Sequence, residues 1–282
     1  MHTELPSCYG YVFRCLGMFD FRSRFMNDQD RVLGASNELA SFLDIMTDCA
    51  DATSRWQKLV AFMARQGADQ INYAVLNTLE HRREEAPVTQ LSTMPDDWIN
   101  FYLDERLDLC DPHVHYVRSG NISPYRWTED MLSSLENDKQ QQVIALAAEA
   151  GLRAQVSLIA PDPIGGSEPI GGMTIGSSLS GRDFFRSVSG KEEMLLSAGM
   201  VFHQLSIGEI RRHQVGAQRL SPRERDCMCY VALGLRSTRI AEKLNVSEVT
   251  VELHLRNARK KLRAATTAQA VARAMIFGDI SI

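Results

Sequence analysis

Helix-start and helix-stop signals crowd the chain after Leu220 so closely that only a bundle of short helices fits there. Ser221-Pro222-Arg223-Glu224 offers a capping hydroxyl, a proline suited to the first helical position and an acid placed to bond back to the cap. Gly234 stops that helix after Leu233. Ser237 caps a short helix to Leu244, packed through Ile240, Ala241 and Leu244, and Asn245-Val246 makes the turn. Ser247 caps a third helix reaching about Arg263, and Thr266 with Gln269 forms another capping box before a last helix ending at Gly278.

The third of these helices is the most informative. Val251, Leu255, Ala258 and Leu262 recur at helical spacing and form one apolar stripe. The opposite side carries Arg256, Asn257 and Lys260, with Glu252 and Arg259 on one flank and His254 and Lys261 on the other. A helix buried along one side and basic along the other can enter the major groove of double-stranded DNA. Lys and Arg there neutralise phosphates. Glu252 can accept from a cytosine amino group, and Arg256 can pair with guanine. A solvated surface helix is the plainer reading, and charge alone would favour it. The three-helix order, the short turn and the distribution of charge point to DNA.

That distribution is uneven. The 282 residues carry a net charge of −4, yet from Arg219 onward 12 Lys and Arg stand against 6 Asp and Glu. A compact basic end on an acidic body reads as a polyanion-binding module attached to a different kind of domain. The length itself predicts two domains. Residues 1–35 read as an N-terminal extension, loosely structured over Met1 to Arg31, with Met26 as an alternative start. Its apolar run is broken by Arg14, Asp20 and Arg22, which argues against a signal peptide. No segment has the apolar length of a membrane span. The cysteines (Cys8, Cys15, Cys49, Cys110, Cys227 and Cys229) are scattered without a CxxC pair, as expected of a reducing, cytoplasmic setting.

Residues 36–213 mix helices and strands, so the domain is of the α+β class. Helices are predicted at Glu38–Met46 and Ser54–Gln66, where Trp56, Leu59, Val60 and Met63 share a face. A strand is predicted at Ile71–Leu79, a short helix from Pro95, and a longer helix over Thr128–Ala150 ended by Gly151. Val156–Ala160 and Gly172–Ser177 read as strands joined by the Pro/Gly-rich stretch between them. That stretch lacks the Lys-Ser/Thr end of a phosphate loop and reads as a turn. Lys191–His213 reads as a helix, and residues 214–219 as the linker to an all-α, four-helix domain at 220–282.

Chemistry-bearing residues concentrate in one place. Trp98 and Tyr102 lie four apart on one helical face, followed by Asp111-Pro112 and then Trp127. Flat rings with polar tips can line a pocket and orient one polar end of a ligand. Asp111, if buried beside them, would need a donor such as a ligand amide. The alternative is that both tryptophans are core residues and Asp111 only caps a helix, and the residues in isolation favour it. His113-x-His115 diverges on a helix and has no third partner of obvious spacing, so no metal is expected. Cys110 has no activating arrangement and no serine sits in an elbow motif, so no catalytic residue and no enzyme activity is expected.

Two resemblances sharpen this. Leu220 to Ile282 resembles the LuxR/GerE-type helix-turn-helix, through L-S-P-R-E from Leu220, A-L-G from Ala232, I-A from Ile240, S-E-V-T-V-E-L-H from Ser247, K-L at Lys261 and A-V-A-R-A from Ala270. It implies base-reading positions at Glu252, Leu253 and Arg256, and backbone or framework positions at Thr250, His254 and Lys261. Ser247, Arg259 and Lys260 complete the expected DNA-binding set. Glu252 is acidic where many relatives are basic. Trp98, Tyr102, Asp111-Pro112, Trp127 and Gly151-Leu152-Arg153 resemble the autoinducer-binding domain of LuxR-type quorum-sensing regulators, over roughly Glu38 to His213.

That second resemblance implies an α-β-α sandwich in which an acyl-homoserine lactone lies between an antiparallel sheet and helices. Trp98 would donate to the lactone carbonyl and Asp111 would accept from the ligand amide. Tyr102 and Trp127 would wall the head group, Ala74 and Leu76 would face the acyl chain, and Thr174 would be a polar contact near the amide. Met94 stands where several relatives have a tyrosine, and Gln155 where glycine is usual; these departures bear on the tail and the amide more than on the head group. A homodimeric transcription regulator, contacting RNA polymerase and needing no cofactor beyond its signal, is the implied whole. A LuxR-type receptor for a non-lactone ligand is one alternative. A two-component response regulator is another, but the order of an acidic pair, a phosphorylatable Asp and a later Lys is not found. An enzyme fused to the DNA-binding module is a third.

Overall fold

The computed structural model describes residues 29–81, 86, 88–119, 121, 123–135, 137–162 and 169–281. Met1 to Asp28, the greater part of the expected extension, and residues 163–168 of the Pro/Gly-rich connection lie outside them.

The N-terminal half begins with helices α1 (Gln29–Asp48) and α2 (Ala52–Arg65). A reciprocal capping box between Asp51 and Ser54 starts α2. Strands β1 (Gln70–Leu76) and β2 (Val88–Ser92) follow, then α3 (Asp96–Asp104), a 3-10 turn at Leu107–Leu109 and α4 (Pro112–Arg118). Next come β3 (Tyr125–Thr128), a 3-10 segment at Glu129–Ser134, α5 (Asp138–Glu149), β4 (Ala154–Pro161), β5 (Pro169–Ser177), α6 (Gly181–Ser187) and the long α7 (Glu192–Gln214). The strands make one antiparallel sheet in the order β2-β1-β5-β4-β3.

Strand periodicity sends alternate side chains to opposite faces. One face presents Ile71, Tyr73, Val75, Val156 and Ile175 to α1, α2 and α7, where Phe42, Leu59, Met63, Leu195 and Phe202 complete a buried core. The other face presents Asn72, Ala74, Gln155, Ser157 and Thr174 toward α3, α4 and α5, across a cavity. The sheet is thus the middle layer of the expected α-β-α sandwich.

Several sequence expectations need correction. The helix expected over Thr128–Ala150 is three elements: β3 ends at Thr128, a 3-10 segment follows, and Asn137 caps a separate helix by accepting from the Lys139 N–H at 2.9 Å. The strand expected to Leu79 ends at Leu76. The extension read to Arg31 overlaps α1, which begins at Gln29. β2, β3 and α6 had not been anticipated.

The C-terminal half has four helices: α8 (Pro222–Ala232), α9 (Ser237–Leu244), α10 (Glu248–Lys261) and α11 (Thr267–Ile276). Their shared core includes Met228, Ile240, Val251, Leu255, Ala258, Leu262 and Ala274. Ser221 and Glu224 form the expected capping box. Two details differ. Arg236, not Ser237, is the N-cap of α9, and the Ser237 hydroxyl donates to Glu252 instead. Gln269 reaches back to the Ala265 N–H at 2.7 Å, one residue before the Thr266 cap.

The halves are in contact. Arg212 of α7 donates to the Phe277 carbonyl at 3.0 Å and to Asp279 at 2.8 Å, with Asp279 as buried as Arg212 itself. Gly208 lies so near that a Cβ there would sit 2.7 Å from the Phe277 carbonyl oxygen. Past β1, Leu79 packs against the helical core, and Glu80 pairs with Arg273 at 3.2 Å.

Candidate functional site

The cavity between the sheet and α3, α4 and α5 has a volume of about 170 Å³. All seven expected ligand-binding residues (Trp98, Tyr102, Asp111, Trp127, Thr174, Ala74 and Leu76) border it. Each arrives by a separate local cause. The 3.6-residue period of α3 sets Trp98 and Tyr102 on one side, their ring centroids 6.0 Å apart. Pairing of Asn72 with Thr174, and of Ala74 with Gly172, brings β1 and β5 side by side on the cavity face. Glycines let the strands approach: a Cβ on Gly171 would meet the Ala74 carbonyl oxygen at 2.1 Å, and one on Gly172 the Leu158 carbonyl at 2.7 Å. Aliphatic walls come from Val143, Ile144 and Ala147 of α5, with Leu152, Leu158 and Met94.

Asp111 caps a helix and lies at the cavity wall at the same time. As N-cap of α4 it accepts from the His113 backbone N–H at 2.7 Å, and its carboxylate also borders the cavity. The Tyr102 hydroxyl donates to its other oxygen at 2.8 Å, and the His113 ring lies 3.1 Å away through Nδ1. Burial opposes ionisation of this carboxyl, but the hydrogen bonds from His113 and Tyr102 outweigh it. The pKa is held below the usual carboxylate range.

His113 continues the chain of polar contacts. Its Nε2 faces the Gln155 amide nitrogen, which also reaches the Ser157 hydroxyl at 3.4 Å. Trp127, 1 % exposed, stands edge-on to His113, and its indole Nε1 has no protein partner among the described residues. His115 turns the other way and bonds the Leu109 carbonyl at 2.7 Å, so the two histidines do diverge. Among the described residues no cluster of three metal-ligating side chains occurs.

Sequence reasoning weighed His113 only as a metal ligand, and it missed the cavity-facing Val88 and Gln90 of β2. The signal for His113 was its place two residues after Asp111, in the first turn of a Pro-started helix. β2 offered none, since all five of its residues are only half-buried. Gln155 is expected, with Met94, to bear on the ligand's tail and amide. Gln155 pairs directly with Trp127 across β3 and β4, beside His113 and Asp111.

In the C-terminal half, Asn245 takes a left-handed conformation (φ 54°) and makes the turn between α9 and α10. Ser247 caps α10 by accepting from the Thr250 N–H at 3.1 Å. Val251, Leu255, Ala258 and Leu262 are buried, while Glu252, Leu253, Arg256 and Lys260 are exposed on the same helix; His254 and Arg259 are half-buried. Glu252 accepts from Ser237 of α9, so its carboxylate is already engaged. Lys261 is turned inward to Glu224 at 2.7 Å, which makes it a framework residue joining α10 to α8. Burial disfavours the Glu224 anion, but Lys261 and Ser221 together keep its carboxyl below the ordinary value.

Comparison with known proteins is consistent with both halves. Residues 51–205 match the model of the autoinducer binding domain, and residues 218–274 that of the bacterial regulatory proteins of the luxR family. The chain is 23% identical over 252 residues to the transcriptional activator protein AhyR of Aeromonas hydrophila, covering 86% of this chain and 92% of that protein. It is 27% identical over 205 residues to the transcriptional activator protein LuxR of Aliivibrio fischeri, covering 71% of this chain and 78% of that one. Among solved structures, Escherichia coli SdiA superposes with a TM-score of 0.52 at 19% identity, covering 88% of this chain and 99% of SdiA. Among the described residues no helix is long and apolar enough to cross a membrane. With a sensor-domain match spanning more than half its length and the DNA-binding match behind it, the chain belongs to the luxR family of quorum-sensing transcriptional regulators, which join an autoinducer-binding domain to a helix-turn-helix.

Proposed function

We propose that this regulator binds an acyl-homoserine lactone or closely related acylated signal in the cavity, and acts in the cytoplasm as a homodimer that contacts RNA polymerase. Residues 36–213 form the sensor, 214–219 the linker and 220–282 the DNA-binding domain, with 1–35 as an extension. The observation that carries this reading is the bonded polar group Tyr102–Asp111–His113 set among aliphatic walls, with the Trp98 and Trp127 rings beside it. Such a site suits a ligand with one polar end and one hydrocarbon end. Two copies would place two α10 helices on half-sites one DNA turn apart. The named activators AhyR and LuxR support transcription activation as the outcome. SdiA, for which a structure in complex with octanoyl-rac-glycerol has been solved, supports an acylated ligand more broadly.

The cap geometry of Asp111 makes a clean test. Asparagine caps helices as well as aspartate does, so Asp111→Asn should keep α4 and shift the melting temperature of the unliganded protein little. In the parent protein, a lactone present at 100 times its Kd should add about 2.7 kcal/mol of stability. The variant should lose most of that gain, because its side chain no longer supplies an anionic acceptor. Melting curves unmoved in the parent by lactones of any chain length would refute the ligand class.

On the DNA side, Arg256→Ala is expected to cost about 1–3 kcal/mol and to relax preference at one base pair. Lys260→Ala should weaken binding to all sequences alike and reduce the salt slope by about one. Fluorescence anisotropy on selected and scrambled duplexes at several salt concentrations separates the two outcomes.

A further inference from the structure

The polar residues of the cavity do more than surround a ligand; their hydrogen-bond directions are set in series. The His113 Nδ1 faces the Asp111 carboxylate, and its Nε2 faces the Gln155 amide nitrogen, a group that can only donate. That pairing makes Nε2 the acceptor and leaves the ring proton on Nδ1, toward Asp111. The Gln155 amide nitrogen donates to that Nε2 and to the Ser157 hydroxyl, which uses both of its N–H groups. What remains of the Gln155 side chain for other contacts is its carbonyl, an acceptor only. Across the strand pair, the buried indole N–H of Trp127 remains as a donor without a protein acceptor among the described residues. Gln155 is 1 % exposed, and its amide is engaged by both His113 and Ser157.

We infer that Gln155, oriented by Asp111 through His113, is a specificity determinant that selects signals whose head group carries a hydroxyl as well as an acceptor. A hydroxyl can give its proton to the Gln155 carbonyl and accept from the Trp127 N–H. A ring ketone or lactone carbonyl satisfies the tryptophan but leaves the glutamine carbonyl facing a second acceptor. Sites that hydrogen-bond a particular group discriminate strongly, because the wrong ligand leaves buried polar atoms unpaired. This rests on the proposal that the cavity takes an acylated amide signal, and it narrows the head group within that class.

The test uses a matched ring pair on the full chain: N-acyl-2-aminocyclopentanol against N-acyl-2-aminocyclopentanone, with butanoyl, octanoyl and dodecanoyl tails. Isothermal titration is expected to show the alcohol binding about tenfold or more tightly than the ketone, the ratio that ~1.4 kcal/mol represents. Gln155→Gly should bring the two within about threefold of each other, chiefly by gaining affinity for the ketone. His113→Phe, which leaves Gln155 intact but without its orienting acceptor, should narrow the ratio as well. Circular dichroism melts confirm that both variants fold. If the parent binds both series equally, or if its preference survives in folded Gln155→Gly, the inference about Gln155 is overturned while the signal class stands. If neither series binds while an acyl-homoserine lactone of matching tail does, the inference is overturned and the signal class stands; if no lactone binds either, the signal class fails with it.

Discussion

Asp279→Ala is expected to release the DNA-binding domain from the sensor. Arg212 is buried, with its guanidinium bonded to Asp279 and to the Phe277 carbonyl and 5.5 Å from the Phe277 ring. Removing one partner of a buried ion pair strands the other charge, typically at a cost of about 3–5 kcal/mol. Here a less costly route is open, because undocking returns Arg212 to water. The variant should therefore show cleavage between α7 and α8 by a dilute protease, and a melting profile split into two transitions. Asp279→Asn should behave differently. Burial pushes the Asp279 carboxyl above its usual pKa even though Arg212 works against that shift. A raised acid pKa in the docked state means that docking is favoured below the ordinary carboxylate pKa and loses that contribution as pH rises through the raised value. A neutral amide avoids the penalty and keeps an acceptor for Arg212, so linker protection should survive at neutral pH. Equal protease sensitivity in the parent and the alanine variant would show that the pair does not hold the domains together.

Gly171→Val is expected to have the other large effect, within the sensor. There is no room for even a Cβ at this position, since it would sit 2.1 Å from the Ala74 carbonyl oxygen and 3.0 Å from the Val75 Cα. Those atoms belong to the paired backbone of β1 and cannot rotate away as a flexible side chain could. Overpacking against rigid surroundings costs about 3 kcal/mol or more. Because Gly171 pairs with Val75 and with Ala160, the strain falls on three strands together. The sensor should unfold or aggregate, while residues 220–282, whose core is their own, keep their helical signal on chemical denaturation. A soluble variant with unchanged stability would contradict the close strand approach.

The helix-turn-helix was legible in the sequence because its determinants are local. A capping box, a left-handed asparagine and a stripe at helical spacing each act within a few residues, and each has its structural counterpart. The misreadings arose where distant contacts decide. β3 is four residues long and exists through its ladder with β4, for which no local pattern stands. The helix read across Thr128–Ala150 ignored Asn137, whose side chain caps a fresh start more strongly than the apolar spacing carries the helix through. Ser237 has every property of a cap, yet its hydroxyl is drawn to Glu252 on the next helix. In the cavity, the aromatic and acidic residues stood out by type and spacing. The linkage of His113 to Gln155 did not, because 42 residues of chain separate them.

The turn that follows β1 has a further consequence. Leu76 borders the cavity and Leu79, three positions later, packs against the helical core of the other domain, while Gln214 at the end of α7 bonds Thr89 on the neighbouring strand at 2.9 Å. Only Asn77 and Thr78 lie between the leucine that borders the cavity and the one that touches the other domain. The strand that walls the ligand cavity therefore runs directly into the Glu80–Arg273 pair, so the two units share a mechanical seam as well as a linker.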